Sequence, residues 1–186
     1  MKKIFYFTAL LLCSMMVSCD KEDVGGTAVE SMAGQWYVMI DAVDENGDPI
    51  SGGEDYFDLG DRTLLLTYNT AGNSSEEMFV DDLGAFSLPA LYGNPAYPDY
   101  SIKAKVKADT KSLTFSSNNA DNETGEFGIT ITEGKILKGA GRQNNGSPAD
   151  SIVFFVSYEG DPWYPADGYA KYKVSGIRYS GLVEND

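Results

Sequence analysis

Hydrophobic and polar residues alternate along several short segments of this chain, and such alternation is typical of β-strands with one buried face. In residues 33–43, AGQWYVMIDAV, the side chains of Trp36, Val38 and Ile40 would point to one side of a strand and the residues between them to the other. The segment 101–108 shows the same pattern, because apolar residues alternate there with three lysines. Both segments predict strands with one dry and one wet face.

Further candidate strands follow at the spacing expected of an all-β protein, with turn residues between them. They are residues 62–69, 77–82, 112–116, 127–132, 135–139, 151–158 and 169–179, with 127–132 and 135–139 forming a hairpin. No helical period is evident beyond residue 18, although 30–34 has room for one turn. The pattern predicts an all-β fold, a single antiparallel β-barrel of roughly 8–10 strands.

One pair of residues would meet if the first and last strands were neighbours in a closed barrel. Arg178 falls on the same face of its strand as Tyr172 and Val174. Its guanidinium group could then lie over the indole ring of Trp36. Such a contact, once desolvated, is worth about 1–2 kcal/mol.

The N-terminus has the composition of a bacterial secretion signal. Two lysines precede an apolar run at 4–12 that is too short to span a bilayer comfortably. The residues leading into Cys19, MVS, are similar to a lipobox, where the signal is cut and the cysteine is lipidated. An ordinary secretory signal is the alternative. The predicted divisions are a signal peptide with lipobox at 1–18, a flexible lipidated tether at 19–31 and the β-barrel domain at 32–186.

An acidic segment follows the predicted lipidation site directly. Residues 20–23, DKED, are similar to the export signal that sends some Gram-negative lipoproteins to the outer face of the outer membrane. Tethers are often charged for other reasons. The expected location is nevertheless the outer membrane of a Gram-negative bacterium, with the protein held there by lipidated Cys19 and exposed at the cell surface.

The composition excludes several classes of function. The 186 residues include 14 Lys and Arg against 28 Asp and Glu, a formal net charge of −14, which argues against binding nucleic acid. The chain has no histidine, which excludes Ser-His-Asp and Cys-His catalysis and any metal site that depends on imidazole. If Cys13 leaves with the signal and Cys19 is acylated, no disulfide can form. No metal and no cofactor are predicted, and a monomer is expected.

Carboxylates are the remaining candidates for catalysis. A glycosidase needs two carboxyl groups that face each other at about 5–9 Å. The neighbours Glu76-Glu77 and Asp81-Asp82 do not supply this geometry by themselves, because adjacent residues on a strand point to opposite faces. No catalytic residue is therefore predicted, and the balance is against an enzyme.

Two proline-rich connections carry large aromatic side chains and are candidates for the rim of a ligand cavity. They are residues 87–100 and 159–168. Packing of the same rings onto the end of the barrel would explain them equally well. The candidate ligand-binding residues are Tyr92, Tyr97, Tyr100, Trp163 and Tyr164.

Two motifs at opposite ends of the chain resemble known families. Gly34-Gln35-Trp36 together with Arg178 resembles the lipocalin-type (calycin) signature. The ending 172–182, YKVSGIRYSGL, is similar to that of a bacterial lipoprotein family described as lipid-binding putative hydrolases, although Tyr179-Ser180 and Leu182 depart from its pattern. The resemblance implies a lipocalin-like barrel around a hydrophobic ligand and carries over no catalytic residues.

The expected function is that of a lipid-anchored cell-envelope protein which binds a hydrophobic or amphipathic, lipid-like molecule inside its barrel. The predicted interior includes Val38, Ile40, Ile102, Val106 and Phe154. Two alternatives are a carboxylate-dependent hydrolase and a surface accessory that binds glycans or proteins through its aromatic loops.

Overall fold

A computed structural model describes residues 25–50, 62–162 and 171–182. Across those ranges the chain forms eight strands and one short helix. The strands are β1 Gly34–Val43, β2 Thr63–Asn69, β3 Glu77–Asp81, β4 Lys103–Asp109, β5 Thr114–Ser116, β6 Ile129–Arg142, β7 Pro148–Tyr158 and β8 Lys171–Arg178. The helix, α1, is Leu88–Tyr92. No helix in the described ranges is long and apolar enough to cross a membrane.

The strands form one closed antiparallel barrel. Each strand pairs with the next along the chain, and β8 pairs with β1 to complete the ring. The register of this seam places Trp36 opposite Arg178 and Val38 opposite Gly176. The prediction of a single all-β antiparallel barrel is confirmed, and so is the predicted pairing of the first and last strands.

The apolar residues of the alternating pattern in the sequence fill the barrel interior. In β1 the inward residues from Trp36 to Ala42 are fully buried, whereas the residues between them on the outer face are partly exposed. All five residues predicted to lie inside, from Val38 to Phe154, are at most 2% exposed and belong to one hydrophobic cluster. Burial of this apolar surface is the main force that holds the barrel together.

Two predicted local elements are wrong. Residues 127–132 and 135–139 do not form a hairpin, because Thr132 and Lys135 both pair with β7 within the single strand β6. The register shifts between them, and Glu133 adopts a positive φ of 54° there, so the chain bulges and continues instead of turning back. The helix α1 lies inside a connection that was expected to be a loop; its N-terminus is capped by Ser87 and its C-terminus by Gly93.

The two ends of the barrel differ. One end, called here the closed end, carries the short β2–β3, β4–β5 and β6–β7 turns and the N-terminal turn at 27–33. Val29 and Met32 of that turn are fully buried against the core. The other end, called here the loop end, carries the described parts of the longer connections, which are 44–50, 82–102, 117–128 and 159–162. The described parts of both connections predicted to form a ligand rim therefore belong to the same end.

Candidate functional site

Gly34, Trp36 and Arg178 meet at the closed end. The guanidinium carbon of Arg178 lies 4.4 Å from the centre of the Trp36 ring, and its Nη1 donates to the carbonyl of Ala33 at 2.9 Å. A Cβ on residue 34 would overlap Nη1 of Arg178 and come within 3.0 Å of its guanidinium carbon. The expected contact between Arg178 and Trp36 is present, and glycine is needed at residue 34 to admit it.

A hydrogen-bonded chain beneath Arg178 closes this end further. The Trp36 indole Nε1 donates to the Thr67 hydroxyl at 2.9 Å, and that hydroxyl donates to the Met32 carbonyl at 2.7 Å. All three residues are nearly or completely buried. The polar groups of the closed end are thus satisfied internally, which identifies the signature as the structural base of the barrel.

Asp150 on β7 binds Arg178 and its surroundings at the closed end. Its carboxylate accepts hydrogen bonds from Lys138 Nζ at 3.0 Å, from the Gly139 amide at 3.0 Å and from Arg178 Nε at 3.3 Å. Burial alone would raise the pKa of Asp150, but the bonds from Lys138 and Gly139 and the charges of Lys138 and Arg178 outweigh it and lower the pKa. Lys138 also donates to the carbonyl of Ser31 at 3.0 Å, which ties the incoming chain to the barrel.

At the loop end, three tyrosines form an aromatic cluster inside the barrel. The ring centres of Tyr100 and Tyr158 are 5.0 Å apart, those of Tyr100 and Tyr172 are 5.5 Å apart, and all three residues are buried. Two of these tyrosines donate hydrogen bonds to the Asp161 carboxylate, the Tyr100 hydroxyl at 2.6 Å and the Tyr172 hydroxyl at 2.8 Å. Burial is the largest cause that raises the pKa of Tyr158 and of Tyr172. The second cause is the negative charge of Asp82 for Tyr158 and the neighbouring Tyr100 for Tyr172, so both remain protonated donors.

The structure exposes two of the candidate ligand-binding tyrosines and buries the third. Tyr92 and Tyr97 are 51% and 39% exposed, and their rings meet edge to face at 5.5 Å beside the barrel mouth. Tyr100 is fully buried in the aromatic cluster and therefore lies inside the barrel, below the rim. Trp163, Tyr164 and the lipidation candidate Cys19 lie outside the described residues.

The carboxylate neighbours singled out by the sequence have structural partners. Asp82 is fully buried; its Oδ1 accepts from the Gly84 and Ile102 amides at 2.9 and 3.0 Å, and its Oδ2 from the Phe86 amide at 2.8 Å. Asp81 points the other way and accepts from the Leu83 amide and the Tyr68 hydroxyl. Asp82 therefore fixes the chain that follows β3.

Stability should depend on the protonation of Asp82. Burial raises its pKa from 3.8 to about 6, against the opposing effect of the three backbone hydrogen bonds. Because the folded state binds this proton more tightly than the unfolded state, ionisation of Asp82 destabilises the fold above about pH 6. That destabilisation, about 3 kcal/mol in full, is relieved as the pH falls from about 6 to about 4.

The measurement is the free energy of unfolding of the wild type minus that of Asp82→Asn, which cannot titrate. This difference should increase as the pH is lowered from about 7 to about 4.5. The control is Asp109→Asn, since hydrogen bonds from Ser112 and Lys111 lower the pKa of Asp109. Its difference should stay nearly constant over this range and decrease only below about pH 4, where Asp109 of the unfolded chain becomes protonated. An Asp82 curve that stays flat would contradict the buried, ionisable state.

Two clefts lie on the outside of the barrel. One of about 540 Å³ lies beside Arg178 and Asp150 at the closed end, and another of about 520 Å³ crosses the outer face near Phe79, Glu77 and Lys105. In the described parts of the chain, the carboxylates and other ligating groups form no set of three that could hold a metal ion.

An eight-stranded barrel whose first-strand tryptophan is covered by an arginine of the last strand defines the lipocalin-like class of proteins. Within it, the chain belongs to the family described as "Lipid-binding putative hydrolase", whose model matches residues 21–183. The family resemblance inferred from the two motifs is confirmed. No curated protein matches the chain.

Proposed function

We propose that this protein binds one hydrophobic or amphipathic, lipid-like molecule inside the barrel, with the polar group of the ligand toward the loop end. Family membership supports binding of a lipid. The interior of an eight-stranded barrel is just wide enough for packed side chains or for one small ligand, so the side chains that fill it here would repack around the bound molecule.

The observation that carries the proposal is a gradient of polarity along the barrel axis. Val174 on β8 is the register partner of both Ile40 on β1 and Phe154 on β7, and these buried side chains form a wholly apolar layer. The hydroxyl groups of the aromatic cluster and the Asp161 carboxylate lie nearer the loop end. An amphipathic molecule matches this gradient with its chain in the apolar layers and its polar group among the donors. Burial of that chain would contribute about 25 cal/mol for each Å² of apolar surface.

Fluorescence quenching tests both binding and orientation. The chain has two tryptophans, so a Trp163→Phe variant leaves Trp36 at the closed end as the only one. Fatty acids that carry a nitroxide at the chain terminus should quench Trp36 saturably and more strongly than those labelled near the carboxyl group. Unlabelled lipid should reverse the quenching. Equal quenching by both probes would contradict the orientation, and failure of every lipid to bind would favour the accessory-protein alternative.

Turnover assays separate binding from catalysis. We expect no ester or glycoside hydrolysis above background, because Asp82 has both oxygens engaged by backbone amides and the chain has no histidine. A saturable rate that one carboxylate substitution abolishes would reverse this ranking in favour of a hydrolase.

The proposed location is the outer membrane of a Gram-negative bacterium, with the protein anchored by lipid on Cys19 and exposed at the cell surface. The lipobox-like sequence before Cys19 and the acidic residues after it support this proposal.

Replacing Cys19 with alanine should abolish fatty-acid labelling and release the protein from membranes. A thioether-linked diacylglycerol with an additional acyl chain exceeds what stable attachment needs, so its loss should have a large effect. Cys13→Ala is the matched control and should leave labelling unchanged. Persistent labelling of the Cys19 variant would refute the anchor.

A further inference from the structure

Large apolar side chains are exposed mainly at the loop end. Among the described residues the exposed ones are Ile50, Leu83, Leu91, Tyr92, Tyr97, Leu137 and Leu182. Four of them, called here the apolar tips, belong to the β3–β4 connection: Leu83, Leu91, Tyr92 and Tyr97. Ile50 follows β1 at the same end. The exposed apolar side chains thus concentrate around the mouth through which a ligand would enter.

The apolar tips lie in a segment without charge. Residues 83–98, LGAFSLPALYGNPAYP, include no charged side chain, although 23% of the residues in the chain are charged. The flanking aspartates are engaged internally. Asp82 is buried on backbone amides, and Asp99 accepts from the Ser87 hydroxyl at 3.0 Å and the Ser101 hydroxyl at 2.6 Å. The surface presented here is therefore neutral and apolar on a protein of strongly negative net charge.

The tips are held outward by a defined local structure. Leu83 is 60% exposed and has a positive φ of 57°, which is a costly conformation for leucine. Its amide donates a hydrogen bond to the Asp81 carboxylate at 2.8 Å. Phe86 and Leu88 from the same segment are buried in the core, so they fasten the connection to the barrel while Leu91 stays outside. Strain retained at an exposed apolar residue is characteristic of a functional surface.

We propose that the apolar tips dock onto a neutral or zwitterionic lipid surface, from which the ligand passes into the barrel. This inference rests on the proposed lipid-binding function. Leucine and tyrosine side chains suit the interface between lipid and water, where a ring can be buried while its hydroxyl stays hydrated. The net charge of −14 would repel an anionic surface, which selects uncharged headgroups as the partner.

Depth-sensitive labelling tests the contact. In the full-length chain with Cys13→Ser and Cys19→Ser, an environment-sensitive fluorophore is attached through Leu91→Cys or through Leu137→Cys. These leucines are 42% and 43% exposed, but Leu137 lies on β6 toward the closed end, so it is a matched control. With phosphatidylcholine vesicles that contain nitroxide lipid, quenching at residue 91 should be at least about threefold stronger than at residue 137. Equal quenching at both positions would overturn the proposal.

Transfer kinetics provide the second arm. Leu91→Glu should slow the movement of a fluorescent fatty acid from phosphatidylcholine vesicles to the protein by about tenfold, whereas Leu137→Glu should leave the rate unchanged. Affinity for the same fatty acid added as monomer should be equal in both variants and the wild type. Unchanged transfer in Leu91→Glu would overturn the proposal, as would tighter binding to phosphatidylglycerol than to phosphatidylcholine vesicles.

Two further outcomes test this inference separately from the proposed lipid binding and from dimerisation of the chain. If monomeric fatty acid does not bind but the label at residue 91 is still quenched, the ligand proposal fails while the docking surface is supported. If the wild type forms a dimer in sedimentation and Leu91→Glu is monomeric, the occupant is a second copy of the chain and the lipid surface is refuted.

Discussion

Gly176→Ala is expected to remove more than about 3 kcal/mol of the free energy of unfolding, a large share of the stability of a domain of this size. Gly176 lies opposite Val38 in the seam between β8 and β1. A Cβ there would overlap the backbone carbonyl of Tyr37 and lie 2.7 Å from the Cα of Val38. These are backbone atoms, so the clash can be relieved only by moving the two strands apart.

Denaturant unfolding measures this effect, with Gly72→Ala as the matched control. A Cβ on Gly72 would have only ordinary contacts, with the Thr70 hydroxyl oxygen at 3.9 Å and a Glu77 carboxylate oxygen at 4.0 Å. The control should change stability by less than about 1 kcal/mol. If the two variants unfold at the same denaturant concentration, the close approach of β1 and β8 is incorrect.

The sequence predicted the barrel because alternation has a physical cause that acts residue by residue. A strand with one dry face must be apolar at every second position, so β1 and β4 could be read without knowledge of their neighbours. The bulge in β6 could not, because a Glu-Gly pair is equally at home in a hairpin turn. What keeps Thr132 and Lys135 in one strand is their common pairing with β7, a contact between distant parts of the chain.

The same distinction explains how much of the candidate site could be predicted. The contact between Trp36 and Arg178 could be inferred, because strand alternation and barrel closure together fix where both side chains point. Asp161 could not be identified, since its partner Tyr100 is 61 residues away and their bond exists only after both connections have folded. Tyr100 was expected at the rim for a similar reason: its proline-rich surroundings indicate a loop but not the direction of its ring.

The apolar tips illustrate a third kind of information. The sequence does not show that Leu83 is exposed while Leu88 is buried. Hydrogen bonds from the Leu83 and Phe86 amides to the carboxylates before them orient this segment. The absence of charge over residues 83–98 is visible in the sequence. Its significance follows from the structure, which places this neutral segment at the mouth of the barrel.

Trp36→Ala should destabilise the protein by about 3–5 kcal/mol, because it leaves a large cavity at the closed end and removes the donor to Thr67. Arg178→Ala should cost about 1–3 kcal/mol through the lost contact with the ring and with the Ala33 carbonyl. Since the two residues touch, the double variant should lose less than the sum of the single variants, by about 1 kcal/mol.

The control for this double-mutant cycle is the partly exposed pair on the outer face, where Lys171 Nζ lies 4.1 Å from the centre of the Phe155 ring. Its coupling should be smaller, about 0.5 kcal/mol, because water screens both partners. Trp36→Phe keeps a ring beneath the guanidinium and should preserve most of the coupling to Arg178, although it loses the hydrogen bond to Thr67. Strictly additive losses for Trp36 and Arg178 would mean that the arginine stabilises the closed end through Ala33 and Asp150 alone, and the role assigned to its contact with the ring would be wrong.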